Sequence, residues 1–183
     1  MELSQNKILL VLDLDETLIY STESKLAGLE DFIVDKYFVY KRPGLDKFLD
    51  FISPIYDVAI WTSSSEDYAQ EVVNKIFPQN YPLKFIYGRT KCTLTFLWDQ
   101  NEYVYAKNLS KLKKKSYSIE KILIIDDSPE KLRRNYGNHL RVNPFVGSND
   151  DIELFQLIKY LKKIKLCENV RAIEKRSWRI DIK

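Results

Sequence analysis

The sequence predicts an α/β fold in which a central parallel sheet is flanked by helices. Three observations carry that reading. Ile8-Leu9-Leu10-Val11-Leu12 is an unbroken apolar run, the pattern of a strand buried on both faces. Further strand-like runs at residues 56–61, 83–87 and 120–125 alternate with stretches of helical spacing, as βαβ units require. The first run empties into Asp13-Leu14-Asp15-Glu16-Thr17 and that at 120–125 into Asp126-Asp127. Carboxylates therefore gather at the C-terminal edge of the strands, where open α/β sheets hold their ligands.

The elements follow in order. Phe32-Ile33-Val34 and Tyr37-Phe38-Val39-Tyr40 flank Asp35-Lys36, which reads as a two-residue hairpin rising over the acidic turn. Pro43 is placed to open a helix running to Ile52, with Leu45, Phe48, Leu49 and Ile52 on one face. Residues 65–77 read as the next helix, capped by Ser65. A second hairpin outside the main sheet is predicted from Leu94-Thr95-Phe96-Leu97 and Tyr103-Val104-Tyr105. A short helix over 129–135, a fifth strand over 140–142 and an amphipathic closing helix over 151–164 complete the pattern. Lys111 and Lys113, Lys114, Lys115 form a basic run that reads as solvated surface.

At 183 residues, 45% hydrophobic and 13% aromatic, the chain has the size of one domain with a substantial core. The expected organisation is a single domain over 1–183, with a core over about 7–161 and a C-terminal extension over about 166–183. A net charge of +3 from 29 basic and 26 acidic residues gives only a weak pull toward acidic substrates and makes no case for nucleic acid. Cys92, Cys167 and the one histidine, His139, do not cluster in sequence, which argues against zinc and for reduced thiols. MELSQNK carries no apolar signal region and no 18-residue apolar run occurs, so a cytoplasmic protein, or a nuclear one in a eukaryote, is expected.

Two carboxylates two residues apart, with a hydroxyl two further on, suit metal-assisted phosphoryl transfer. One can attack phosphorus while holding a hard cation such as Mg²⁺, and the other can handle protons. Taken alone, Asp13 and Asp15 would equally suit a turn or a helix cap. Thr62-Ser63-Ser64-Ser65 would read as a helix N-cap and Lys107 as a surface charge. Their company changes the reading.

DLDETL after a buried strand resembles the first motif of the haloacid dehalogenase superfamily of aspartate-nucleophile phosphatases. Lys41-Arg42-Pro43, the WTSS of 61–64, the GRTKC of 88–92, the YAKNLSKL of 105–112 and the LIIDDSP of 123–129 follow in the order of the small C-terminal-domain phosphatases, the NLI-interacting-factor-like family. The resemblance covers about 7–161. It implies a Rossmann-like haloacid dehalogenase fold with small β-hairpin insertions and no large cap. It further implies Asp13 as nucleophile, Asp15 as acid and base, Thr62 as the phosphoryl-binding hydroxyl with Ser63 beside it, and Lys107 as the charge screen. Arg89 is implied as a substrate-phosphate ligand, although the stretch from Arg89 to Lys107 is several residues longer than in the nearest relatives. The implied Mg²⁺ site comprises Asp13, the main-chain oxygen of Asp15, and Asp127 with Asp126 beside it. The small phosphatases commonly carry asparagine where this chain has Asp127.

The expected reaction is Mg²⁺-dependent hydrolysis of phosphomonoesters, foremost protein phosphoserine and phosphothreonine. The competing readings are a phosphatase of nucleic-acid ends or small metabolites, with nucleic acid disfavoured, and a non-catalytic phosphoprotein-binding module. A phosphorylated protein or peptide is the expected partner, and no membrane association is expected. Phe32, Val34, Tyr37, Phe38 and Tyr40 offer an apolar stripe that reads as hairpin packing before it reads as a peptide groove.

Overall fold

The computed structural model describes residues 7–115 and 117–182. Five parallel strands form the central sheet in the order β10-β9-β1-β5-β6: β1 (Leu9–Leu12), β5 (Asp57–Trp61), β6 (Leu83–Tyr87), β9 (Ile122–Asp126) and β10 (His139–Arg141). β1 occupies the middle because its residues are apolar on both faces, and all four are fully buried. Leu12 pairs with Ile60 on one side and Ile125 on the other. The acids that follow β1 and β9 consequently leave the sheet at one level.

Alternate residues divide between two cores. Leu10, Leu12, Val58, Ile60, Leu123 and Ile125 face one, Leu9, Val11, Ala59, Trp61, Ile122 and Ile124 the other. The helices α1 (Leu45–Ile52), α2 (Glu66–Ile76) and α3 (Glu153–Ile164) all pack on the first face. Leu109, Leu112 and Leu132 cover the second face from 3₁₀ turns spanning Leu109–Lys115 and Pro129–Asn138. The sheet is thus flanked as expected, but among the described residues full helices lie on one side only. The side chains of Lys113, Lys114 and Lys115 and residues 1–6, which include most of the MELSQNK segment, lie outside the described residues.

The first hairpin is β3 (Phe32–Val34) with β4 (Tyr37–Lys41), and its two-residue turn puts Asp35 at φ 51°. The sequence reading missed its third strand, β2 (Ile19–Thr22), which pairs antiparallel with β4. The second hairpin, β7 (Thr93–Leu97) with β8 (Glu102–Ala106), stands outside the central sheet. Pro43 does not open α1. Its N-cap is Gly44 at φ 84°, where a Cβ would meet the Phe155 ring at 2.7 Å. Only glycine supplies both the left-handed backbone and this approach of α1 to α3. Ser65 caps α2 as expected, accepting from the Tyr68 amide.

The C-terminal extension packs back on the core. Trp178 is buried against Tyr160, with ring centroids 5.5 Å apart, and its indole donates to Arg141 O over 2.9 Å. Among the described residues, no helix is long and apolar enough to cross a membrane.

Candidate active site

Beyond β1 the Asp13 amide still bonds to Ile125 O at 3.0 Å, after which the chain coils. The amides of Thr17, Leu18 and Ile19 all donate to Leu14 O. Glu16 sits at φ 61°, a conformation costly for a side-chain-bearing residue. It is held from both ends, its amide donating to Ile19 O and its carbonyl accepting from the Phe145 amide, each at 2.7 Å.

This coil brings Asp13 to a buried charge cluster. Lys107, fixed by its own amide bonding to Lys131 O, places Nζ 3.0 Å from Asp13 Oδ1 and 2.5 Å from Asp126 Oδ2. Lys131 Nζ stands 3.6 Å from Asp13 Oδ2. Asp126 also accepts from the Ser128 amide over 2.9 Å, and Asp127 accepts from Ser128 Oγ at 3.1 Å and Thr17 Oγ1 at 3.4 Å. One carboxylate oxygen from each of Asp13, Asp126 and Asp127 lies within 4.8 Å of the others, forming a group able to hold a metal ion.

Burial works against the Asp13 charge, yet Lys107, Lys131 and the Leu14 amide hold its carboxyl below the usual range. Burial and the nearby Asp13 push Asp126 up to about 7, and they raise Asp127 as well. Lys107 is raised despite its burial because Asp126 and Asp13 face it. Three buried carboxylates against two lysines leave the cluster short of positive charge. This oxygen-only donor set fits a hard divalent cation.

Asp15 does not join the cluster through its side chain. Its carboxylate turns the other way and accepts from Ser21 Oγ at 2.9 Å, Ser64 Oγ at 2.7 Å and Tyr68 Oη at 2.8 Å. Burial and the Asp15 charge raise the Tyr68 phenol, so it remains a donor. Asp15 lines a cavity of about 530 Å³ with Val34, Tyr37, Ser64, Tyr68 and Arg89. Val34 and Tyr37 come from the aromatic stripe noted above, so that part of it borders the cavity.

Thr62 follows β5 immediately, one step past the level of Asp13, and is buried. Its Oγ1 accepts from the Ser64 amide over 3.1 Å. Ser63 is half-buried, and its carbonyl, not its hydroxyl, is engaged, accepting from Arg89 Nε at 2.8 Å. The serine hydroxyl that reaches Asp15 belongs to Ser64. Arg89 is exposed, lies over the Tyr105 ring at 5.0 Å and sits on the cavity wall, not in the acid–lysine cluster.

Sequence reasoning missed Lys131, Ser21, Ser64, Tyr68 and Arg42 as parts of this site and its support. Ser64 and Arg42 lay inside quoted motifs, which was their only signal. Tyr68 and Lys131 carried none. Arg42 is 1% exposed and grips Asp151 with Nε and Nη2, each at 2.8 Å, while bonding to Thr17 O and Asn143 O. This bidentate pair ties the coil after Asp13 to the approach to α3.

A parallel sheet with acids at its C-terminal edge and a buried lysine among them is the architecture of an aspartate-based phosphatase domain. The family model described as NLI interacting factor-like phosphatase matches residues 8–171, and the chain belongs to that family. The chain is 30% identical over 197 residues to nuclear envelope morphology protein 1 of Saccharomyces cerevisiae, covering 93% of this chain and 42% of that protein. It is 35% identical over 177 residues to CTD small phosphatase-like protein 2 of Dictyostelium discoideum, covering 93% of this chain and 30% of that one. It therefore spans less than half the length of either relative. The solved structure of Fcp1, an RNA polymerase II CTD phosphatase, superposes with a TM-score of 0.67 at 19% identity, over 88% of this chain and 63% of that one. That likeness extends to the fold.

Proposed function

We propose that the chain hydrolyses phosphomonoesters of proteins, at phosphoserine or phosphothreonine, through a phosphorylated Asp13. The observation that carries this reading is Asp13 itself, buried yet kept ionised by Lys107 at 3.0 Å and Lys131 at 3.6 Å. A carboxylate in that state is a competent nucleophile at neutral pH.

Asp13 Oδ attacks phosphorus as the bond to the leaving oxygen breaks, and Asp15 gives that oxygen its proton. Asp15 then takes a proton from water, whose oxygen attacks the same phosphorus, releasing phosphate and restoring the Asp13 carboxylate. Thr62 binds a phosphoryl oxygen through its hydroxyl, with Ser63 beside it, and Lys107 offsets negative charge in both steps. Arg89, at the cavity wall, binds the substrate as it enters. Mg²⁺, held by Asp13, Asp127 and the main-chain oxygen of Asp15, would supply the positive charge that the phosphoryl oxygens require. Asp126 orients the lysine, since its carboxylate is already committed to Lys107 and the Ser128 amide.

A protein substrate is favoured because the segment between Asp13 and Thr62 builds a small three-stranded sheet and α1, with no large cap over the cavity. The nuclear-envelope name of the yeast relative favours the nucleus over the cytoplasm among the compartments expected from the sequence. Phosphopeptides, phosphorylated oligonucleotides and small phosphate esters assayed side by side with Mg²⁺ test the reading. Mg²⁺-dependent turnover of the peptides carries it, and preferential turnover of the other classes, or of none, overturns it.

A further inference from the structure

A second cleft, of about 720 Å³, opens where β10 meets the C-terminal extension. Its size is in the range of ligand sites, ~300–1,000 Å³. Its lining carries Arg141, Arg171, Lys175, Arg176 and Arg179 against a single carboxylate, Glu174. Two of these cations are already paired, Arg176 with Glu174 and Arg179 with Glu153. The other three have no carboxylate within ion-pair distance among the described residues. Arg171 is aimed by a 2.6 Å bond from Nη1 to Asn138 Oδ1. Lys175 is buried, with Nζ held by the carbonyls of Val170 and Ile173 at 2.6 and 2.8 Å. Arg141 is exposed on the edge strand.

Three cations gathered around a concavity whose one carboxylate, Glu174, is taken up by Arg176 repel one another and favour an anion among them. Two arginine forks select an oxyanion with several acceptor oxygens, which is the chemistry of a phosphoryl group. The cleft is also near the catalytic acids, because Pro129 in its wall follows Asp127 by two residues, at most about 7 Å of chain. An inorganic phosphate would leave most of the volume empty, whereas a stretch of peptide bearing the phosphoryl group would fill it.

We propose that this cleft binds a second phosphoryl group on the substrate chain, docking a multiply phosphorylated segment while another of its phosphoresidues occupies the Asp13 site. The proposal rests on the phosphoprotein reading above. It assigns the residues after Leu166 a task in substrate choice.

The test compares singly and doubly phosphorylated peptides of one sequence with p-nitrophenyl phosphate, using the wild-type chain, Arg141→Glu and Arg176→Glu. The expected wild-type preference for the double phosphopeptide is roughly tenfold in kcat/KM, lost in Arg141→Glu and weakened in Arg176→Glu. Turnover of p-nitrophenyl phosphate is unchanged in both. A wild-type chain without the preference, or variants that keep it, overturns the proposal. Amide resonances read the cleft independently of turnover. Titration of ¹⁵N-labelled Asp13→Asn chain with the doubly phosphorylated peptide shifts Gly137, His139 and Ile173, and Arg141→Glu in that background abolishes the shifts. Inorganic phosphate is the second arm. Shifts from phosphate alone at equal concentration identify free anion as the ligand and overturn the docking of a segment. Cleft shifts without hydrolysis of any ester would overturn the catalytic reading and leave the cleft assignment standing.

Discussion

The Tyr68 hydroxyl donates to Asp15 Oδ1 over 2.8 Å, linking α2 to the turn after β1 across 53 positions of sequence. With Ser21 and Ser64 also donating, three hydroxyls aim the carboxylate that the proposed mechanism uses for protons. Tyr68→Phe keeps the ring and its edge-on contact with Tyr37, so the fold is expected to hold. Losing one aiming bond is expected to lower kcat/KM roughly tenfold for alkyl phosphates and less for p-nitrophenyl phosphate, whose leaving group needs little protonation. Equal losses for both ester types would count against Asp15 as the acid.

Asp13→Asn is expected to abolish turnover, by more than about 10³-fold, while the circular-dichroism spectrum stays that of the parent. The amide keeps the size of the carboxyl but is a far poorer nucleophile. Appreciable turnover from well-folded Asp13→Asn protein removes Asp13 from that role.

Replacing Lys107 leaves Asp13, Asp126 and Asp127 with Lys131 alone. Stripping one partner from a buried charge cluster costs about 3–5 kcal/mol, so metal-free Lys107→Met is expected to melt well below the parent. Mg²⁺ is expected to raise the melting temperature of the variant more than that of the parent, because the variant lacks the ammonium that competes with it for Asp13. Paired melts in EDTA and in MgCl₂ decide, and an equal response in both proteins would argue against a shared metal site.

The contribution of Asp126 to the stability of the metal-free chain is expected to fall as pH rises from about 4 to about 7, while half-buried His139, held below its usual value, contributes in the opposite sense. Asp126 has its folded value raised from 3.8 to about 7 by burial and by Asp13. Across that interval the folded chain keeps a proton that the unfolded chain has released, so folding is disfavoured progressively and then levels off. Asp127 adds a contribution of the same sign. Asp13 has the opposite sign: its contribution is present above 3.8 and lost on acidification. Urea midpoints in EDTA from pH 4 to 8 measure the slope, and Asp126→Asn is expected to flatten it. An unchanged slope in Asp126→Asn would sink this assignment.

Much of the fold was legible because β1 and most of β9 are apolar runs, β5 and β6 are apolar but for Asp57 and Lys84, and the helices show regular spacing. What escaped was short or depended on distant partners. β2 holds only Ile19, Tyr20, Ser21 and Thr22 and exists because β4 offers it a free edge. Pro43 had the chemistry of a helix opener, but the contact with Phe155 shifted the start past Gly44. Within the site, the acids and Lys107 could be named from motif order. Their partners could not, because Lys131 and Tyr68 meet them only after the chain has crossed the sheet and returned. A lysine in a polar turn and a tyrosine in a helix look ordinary until then.

Arg42 has a further consequence. Its single guanidinium bonds to Thr17 O, Asn143 O and the Asp151 carboxylate, so the loop carrying the reactive acid and the ramp into the last long helix share one fastening. Loosening at the carboxyl end of the molecule should be felt at its chemical heart as faster amide exchange around Leu14 and Thr17, well before the sheet itself gives way.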